Sequence, residues 1–134
     1  MNEVLHRKIQ KLKEEVLYLQ KKRTEFLKSV DISIDQKKIA ERSIYLCAEI
    51  VLDIVEMVIS IKGLPKPSTY SDSIYKLGDY DIVPKPFARK LVYIAGLRNF
   101  LAHDYQIDTS ATLKKFLKSG IPDVRRFIDY MEKQ

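Results

Sequence analysis

Apolar residues recur along this chain at alternating steps of four and three, and this spacing is the strongest constraint on its fold. Such steps place side chains on one face of an α-helix, because a helix completes a turn in about 3.6 residues. A first helix is predicted over residues 3 to 29, and only Arg23 interrupts its apolar stripe. The members of that stripe are Leu5, Ile9, Leu12, Val16, Leu19, Phe26 and Val30. No stretch shows the period of two that indicates a half-buried strand, so the predicted class is all-α.

The second predicted helix, residues 34 to 62, is apolar on nearly every side and should be buried on most of them. Glu49, Asp53 and Glu56 in its second half follow one another at steps of four and three. They therefore share one stripe. Either this stripe faces solvent, or Glu49 or Asp53 faces an arginine across the bundle; both interpretations can hold for different members.

Glycines and prolines divide the rest of the chain. Gly63, Pro65 and Pro67 end the second helix. A short helix is predicted over 71 to 78, a longer one over 84 to 103, and a last helical region over 109 to 132 that kinks near residues 120 to 122. Gly96, inside the fourth helix, predicts that another backbone passes close by. Short connections favour an antiparallel up-and-down helical bundle of four to five helices, with residues 1–134 as a single domain.

Composition says more about where the protein is located than about what it does. The chain has one cysteine, Cys47, in an apolar run, which predicts an inert buried thiol and no internal disulfide. No run of eighteen apolar residues predicts a membrane span, and the charged N-terminus does not resemble a signal peptide. A cytoplasmic protein is expected. The net charge of +6 suits a polyanionic partner such as RNA, although its lysines and arginines are mixed with acids and also fit a solvated surface.

An arginine stands where the fourth helix should bury an apolar residue. The stripe there consists of Phe87, Leu91, Ile94, Arg98, Leu101 and Tyr105. Burying an unpaired guanidinium costs several kcal/mol. Arg98 therefore has a carboxylate partner inside the bundle, or it lines a cleft that binds something anionic.

Few other residues suggest chemistry. The two histidines, His6 and His103, lie far apart in sequence, and with one cysteine they do not predict a metal site. No glycine-rich phosphate loop is present, so neither a metal nor a cofactor is expected. His6 falls on a polar face and should be exposed without a role.

The segment from Arg98 to Tyr105 is polar and ionisable. Asn99 and His103 are four residues apart, and His103 falls in the last turn, where a helix dipole favours a protonated imidazole. One interpretation is purely structural: Arg98 is a buried ion-pair partner, His103 a C-terminal cap, and Tyr105 a core aromatic with a hydrated hydroxyl. From spacing alone, that interpretation and a functional site both stay open.

These residues match a known pattern. Arg98, four intervening residues, His103, one residue and Tyr105 resemble the Arg-x4-His-x-Tyr motif of HepT-type toxins in the HEPN superfamily. Residues 95 to 99, residues 50 to 60 and the order of helices also resemble that family, over most of the chain. The resemblance implies a ribonuclease toxin that pairs with a small nucleotidyltransferase antitoxin. It further implies a homodimer whose two motifs face each other, and adenylylation of the motif tyrosine, here Tyr105, by the partner.

The residue types are consistent with metal-independent RNA cleavage, which needs a proton acceptor for the 2′-hydroxyl and a cation for the phosphorane. We expect His103 as general acid/base and Arg98 as phosphate stabiliser. Asn99 would orient His103 or the phosphate, with Glu49 and Asp53 in support. Five residues correspond to about 140° around a helix, so two chains would have to bring their motifs together.

Two other functions fit the same residues. The chain could be a non-catalytic binding subunit of a two-component nucleotidyltransferase. It could also be a plain helical dimerisation module, in which the motif is a structural ion-pair network.

Overall fold

The computed structural model describes residues 2–103 and 107–134, and every regular element in these ranges is helical. The elements are α1 (Glu3–Ser29), α2 (Ile34–Ile61), α3 (Tyr70–Asp79), α4 (Lys85–Leu91), α5 (Tyr93–His103), α6 (Ser110–Lys115), a π-helical segment (Phe116–Gly120) and α7 (Ile121–Glu132). The predicted all-α class is confirmed. No helix in these ranges has the length and apolar character needed to cross a bilayer.

The long helices α1 and α2 form an antiparallel pair. Lys8 lies 3.6 Å from Asp53, and the Ser43 hydroxyl donates to Glu15 at 3.2 Å, so residue numbers rise along one helix as they fall along the other. The last helical region also runs antiparallel to α1. Near one end of α1, Lys114 pairs with Asp31. At the opposite end Lys13 pairs with Glu132. α5 packs on α2, and α3 and α4 pack against each other.

The core follows the predicted stripes. Every member of the first stripe is buried: Leu5, Ile9, Leu12, Val16, Leu19, Phe26 and Val30. Cys47 is fully buried in α2, and burial raises the pKa of its thiol, which fits the predicted inert role. Arg23, the exception in the stripe, is exposed.

The predicted helix over 84 to 103 is wrong as a single element, because it divides at Val92 into α4 and α5. The Ala95 N–H donates to the Val92 carbonyl at 3.1 Å, a tighter turn than an α-helix makes. Just after the break, the Tyr93 hydroxyl donates to the buried Asp123 carboxylate of α7 at 2.8 Å. Lys90 lies 3.3 Å from the same carboxylate, so side chains on both sides of the break are tied to α7.

The kink predicted near residues 120 to 122 is a π-helical segment. The Ile121 N–H donates to the Phe116 carbonyl, five residues back, and Pro122 has no N–H to offer the Leu117 carbonyl. The Arg23 side chain supplies that donor, since its Nε lies 2.8 Å from the Leu117 oxygen. The same arginine that interrupts the α1 stripe therefore stabilises the irregular turn of a distant helix.

Gly96 is not a point of close backbone approach within this chain, contrary to the sequence-based expectation. A Cβ added there would meet nothing within 4 Å, because Gly96 faces outward on α5. The close approach occurs at Gly78, where an added Cβ would lie 2.9 Å from Ala88 Cβ. It is this glycine that allows α3 and α4 to pack tightly.

Candidate functional site

Arg98 projects from α5 toward α2 and meets a carboxylate there. Its Nε donates to Glu49 Oε2 at 3.0 Å, and the two side chains are 20% and 24% exposed. Of the two possibilities left open for Arg98, the structure shows the carboxylate partner inside the bundle. The Arg98 side chain keeps part of its surface in solvent, so the ion pair leaves it accessible to a ligand.

A tyrosine on α2 completes the carboxylate's environment. The Tyr45 hydroxyl donates to Glu49 Oε2 at 2.6 Å, the same oxygen that receives the Arg98 bond. Burial pushes the pKa of the Glu49 carboxyl upward, but the hydrogen bonds from Tyr45 and Arg98 and the Arg98 charge together hold it below its ordinary value. Glu49 is therefore ionised at neutral pH. The Glu49 hydrogen bond in turn raises the pKa of Arg98.

Two aromatic rings flank the guanidinium. Arg98 Cζ lies 5.9 Å from the centroid of the Tyr45 ring and 5.4 Å from that of Tyr70, which begins α3. At these distances the ring faces attract a cation without neutralising it. Side chains from α2 and α3 thus fix the direction of one arginine on α5.

Asn99 contacts the arginine beside it. The Arg98 Nη1 donates to Asn99 Oδ1 at 3.1 Å, and Asn99 is exposed. The structure therefore places Asn99 as a contact of Arg98. His103 is exposed at the C-terminal end of α5 and makes no hydrogen bond or ion pair with a residue of the described ranges. Tyr105 and Asp104 lie outside the described residues.

A cleft opens beside the residues that contact Arg98. This cleft encloses about 920 Å³ between the second half of α2, the segment that leads into α3, and α5. Tyr70 and Asn99, both in contact with Arg98, form part of its wall. The remaining lining residues include Glu56, Ser60, Lys66, Ser68, Thr69 and Gly96.

Of the three acids on the α2 stripe, one reaches Arg98. Asp53, one turn beyond Glu49, pairs instead with Lys8 of α1 at 3.6 Å, and both of these side chains are well exposed. Asp53 is therefore not a contact of Arg98. It lies about 6 Å further along α2 and about 40° further around it, where it reaches Lys8 of α1. Glu56 is exposed and lines the cleft, as expected for a solvent-facing member of the stripe.

Sequence reasoning missed Tyr45 and Tyr70. Tyr45 precedes Glu49 by four residues, the spacing at which helical side chains meet, so the sequence held a signal for it. Tyr70 gave none, because the fold alone brings it to Arg98 from the far side of a loop. Within the described residues, no group of three or more His, Cys, Asp or Glu side chains could hold a metal ion.

Comparisons with known proteins agree on one family. The family described as "Ribonuclease HepT-like" matches residues 5–131. The "tRNA nuclease HepT" of Aphanizomenon flos-aquae is 32% identical over 73 residues, covering 54% of this chain and 50% of that protein. The "mRNA nuclease HepT" of Shewanella oneidensis is 27% identical over 86 residues, covering 64% of this chain and 65% of that protein. The matches thus span between half and two thirds of these relatives.

Solved structures share the fold over the whole chain. The tri-AMPylated HEPN toxin of Shewanella oneidensis, solved in complex with its MNT antitoxin, superposes with a TM-score of 0.83 at 20% identity and covers 100% of both chains. A toxin–antitoxin complex solved with AMP-PNP gives a TM-score of 0.85 at 18% identity, again over 100% of both chains. At such identities the likeness shows a common fold.

Proposed function

The chain belongs to the HepT-like ribonuclease family, and we propose that it is an endoribonuclease that acts as the toxin of a toxin–antitoxin pair. Its relatives are named as nucleases of tRNA and of mRNA, which makes RNA the proposed substrate. A cytoplasmic site of action follows from that substrate. Because the two relatives act on different classes of RNA, the proposal is RNA cleavage in general.

One observation of this chain carries the proposal. Arg98 is fixed by Glu49, Tyr45, Tyr70 and Asn99, two of which line a cleft, yet its guanidinium stays partly exposed. A fixed, permanently charged fork with free donors is suited to a phosphate, since it needs no reorganisation when charge develops there.

The proposed reaction is attack of a 2′-hydroxyl on the adjacent phosphorus. His103 accepts the 2′-hydroxyl proton as the new O–P bond forms, and Arg98 stabilises the charge on the phosphorane oxygens. The bond from phosphorus to the 5′-oxygen then breaks, and that oxygen takes up a proton. The products are a 2′,3′-cyclic phosphate and a free 5′-hydroxyl, and the step needs no oxidant and no metal ion.

Both steps are easier in a homodimer whose two motifs face each other. A base for the 2′-hydroxyl and an acid for the 5′-oxygen are then supplied by two copies of His103. The outward surface of α5 suits such contact: Gly96 carries no side chain there, and Tyr93 before it is 40% exposed. The dimer also removes the difficulty that Arg98 and His103 point about 140° apart on one helix.

The proposed partner is a nucleotidyltransferase antitoxin that adenylylates Tyr105. The support is the sequence match to the Arg-x4-His-x-Tyr pattern and the related toxin solved as a tri-AMPylated protein with its antitoxin. Adenylyl groups beside His103 would add negative charge and bulk where an RNA phosphate must bind. Intact mass measured after co-expression with the partner should rise by whole adenylyl units, and Tyr105→Phe should abolish the increase.

Growth arrest tests the proposed function as a whole. Expression of the chain should stop growth, co-expression of the nucleotidyltransferase should restore it, and Arg98→Ala or His103→Ala should remove the effect. His6→Ala, a change at an exposed histidine of α1, serves as the matched control and should remain toxic. If His103→Ala is as toxic as the control, the catalytic assignment is wrong.

The Arg98–Glu49 ion pair is also consistent with a purely structural role of the motif. Glu49 belongs to the same chain, so Arg98 could serve only to join α5 to α2. On that interpretation Arg98→Ala unfolds the protein and abolishes every property together. On the ribonuclease interpretation Arg98→Ala remains folded and loses cleavage. A non-catalytic binding subunit would bind the nucleotidyltransferase and cause no growth arrest.

A further inference from the structure

The stripe that carries Glu49 extends toward the start of α2. Lys38, Arg42, Tyr45 and Glu49 follow one another at steps of four, three and four, so they share one face of the helix. The Glu49 end of this face meets Arg98. The other end carries two positive charges that neither the family comparison nor the proposed mechanism uses.

One aromatic ring joins the two ends. Arg42 Cζ lies 5.7 Å from the centroid of the Tyr45 ring, and Arg98 Cζ lies 5.9 Å from the same centroid. The two guanidinium groups are therefore within about 12 Å of each other, both held by cation–π contact. A nucleic-acid strand carries one phosphate per nucleotide, so a separation of this size spans only a few nucleotides.

A second cleft connects this basic end to the C-terminal part of α5. It has a volume of about 520 Å³ and is lined by Lys38, Arg42 and Tyr45 from α2 and by Leu101 from α5. Leu101 precedes His103 by two residues and follows Arg98 by three, so the cleft begins next to the proposed catalytic residues. Its lining is mixed and includes two cations, the Tyr45 ring and apolar side chains.

No carboxylate of the described residues lies within 4 Å of the two cations in this cleft. Lys38 and Arg42 are exposed and make no ion pair there, whereas Lys37, beside them, is paired with Asp108 at 2.8 Å. One acid lies in the cleft, Glu41, and its carboxylate accepts the Thr109 hydroxyl at 2.6 Å.

Two further acids stand nearby on α1. Glu14 and Glu15 border a groove that Lys38 and Arg42 also line, but neither carboxylate comes within 4 Å of these cations, and Glu15 accepts from Ser43. Two cations without an ion pair in the described ranges line this cleft, and Tyr45, which also lines it, contacts Arg98. This arrangement matches the phosphate backbone of a single-stranded polyanion.

We propose that Lys38, Arg42 and Tyr45 form an RNA-binding subsite, in which the two cations bind phosphodiesters a few nucleotides from the bond that is cleaved. This inference rests on the proposed ribonuclease function and adds to it a path for the substrate strand. Arg42 and Lys38 touch phosphates that do not react, so they contribute to substrate binding and not to the chemical step.

The test uses a short fluorescent RNA with 2′-O-methyl groups, which binds but lacks the attacking hydroxyl. Binding is measured by anisotropy for the wild type, for Lys38→Gln/Arg42→Gln, and for the control Lys118→Gln/Arg125→Gln. The control removes the same two charges from exposed positions outside the cleft. The Lys38/Arg42 variant should bind at least about tenfold more weakly, and the slope of log K against log salt should fall by roughly 1.4, since each phosphate that is no longer neutralised lowers it by about 0.7.

Cleavage of the corresponding unmodified RNA separates the two proposals. The Lys38/Arg42 variant should raise KM about tenfold and leave kcat within about twofold of the wild type. Equal losses of binding in the two double variants, or an unchanged KM, would overturn the subsite while leaving the ribonuclease function intact. A wild-type protein that cleaves no RNA, yet binds the modified RNA through Lys38 and Arg42, would refute the nuclease and the position of the subsite beside a cleaved bond, while supporting RNA binding by these two residues.

Discussion

Arg98 shows how neighbouring residues can hold a cation without masking it. The Glu49 carboxylate binds Nε, and the Asn99 oxygen binds Nη1, so two sides of the guanidinium are fixed. Tyr45 and Tyr70 add attraction from ring faces, which carry no net charge. Because the pair is mostly buried, loss of either partner leaves the other with an unmet charge.

We predict that Glu49→Gln destabilises the protein by about 1–3 kcal/mol, because the amide oxygen can still accept a hydrogen bond but the largely buried Arg98 guanidinium loses the charge that compensates it. The matched control is Asp53→Asn, one turn along the same helix, where the pair with Lys8 is well exposed and should cost less than about 1 kcal/mol. Urea denaturation of both variants measures the difference. An equal loss of unfolding free energy in the two variants would mean that the Arg98–Glu49 pair stabilises the fold no more than an exposed ion pair does.

Asp108 gives a pH-dependent prediction. The hydrogen bond from Lys37, followed by those from the Ser110 N–H and hydroxyl, lowers the pKa of Asp108 to about 2. A carboxyl with a depressed folded-state pKa stabilises the fold above its unfolded value of about 3.9, and this contribution disappears as pH falls toward 2.

Asp108→Asn should therefore be less stable than the wild type near neutral pH, and the difference should shrink between about pH 4 and pH 2. Denaturant titrations across this range provide the measurement. A stability difference that stays constant down to about pH 2 would show that the Asp108 carboxylate does not contribute through its charge.

The choice of Glu49 over Asp53 marks what the sequence can and cannot predict at this scale. Helical spacing placed Arg98 on a buried face and both acids on one stripe, which left an ion pair across the bundle as one of two open interpretations. Which acid forms the pair depends on how far α5 slides along α2. That register is set by packing of the whole interface, and no local pattern encodes it.

At the scale of helices, periodicity predicted where elements lie better than where they break. The bounds expected for the first two helices agree with α1 and α2 to within one residue. The division at Val92 was missed, because the side chains on either side of it are tied to Asp123, far along the chain. Pro122 predicted an irregularity in the last helical region, and the structure shows that it is a π-helical turn over Phe116–Gly120.

Gly120 tests that π-helical segment. A Cβ added there would lie 2.2 Å from Phe116 Cδ2, and the Phe116 ring is buried and cannot easily move away. Gly120→Ala should destabilise the protein by about 1–3 kcal/mol through overpacking. Gly96→Ala, the control, also replaces a helical glycine but meets nothing within 4 Å in this chain, so it should stabilise the monomer by about 0.4–1 kcal/mol.

Thermal denaturation of these two glycine variants gives the comparison, since the predicted shifts in Tm have opposite signs. Measured at concentrations where the chain is monomeric, a destabilised Gly96→Ala would contradict this prediction, whereas destabilisation confined to the dimer would indicate that Gly96 lies at the proposed dimer contact. A neutral Gly120→Ala would mean that the Phe116 ring can leave its position at little cost.

At the scale of the whole molecule, the bundle brings sequence-distant groups to one side of α2. Arg98 of α5 meets both the Tyr45–Glu49 turn of α2 and Tyr70 of α3, and the basic face that includes Arg42 continues along α2. The modest net charge of +6 is therefore less informative than its local distribution. Composition predicted a polyanionic partner only weakly, and the position of two cations without an ion pair in the described ranges, beside the Arg98 cluster, supports RNA more specifically.

Arg98 and His103 are the two residues proposed to carry out RNA cleavage. The most direct measurement is the rate at which purified Arg98→Ala and His103→Ala proteins cleave RNA in the presence of a chelator, with circular dichroism and Tm recorded for each. We predict that each variant remains helical and loses at least about 100-fold in kcat/KM, since an acid–base residue typically contributes about 10²- to 10⁴-fold. A folded His103→Ala protein that cleaves RNA at the wild-type rate would contradict the account.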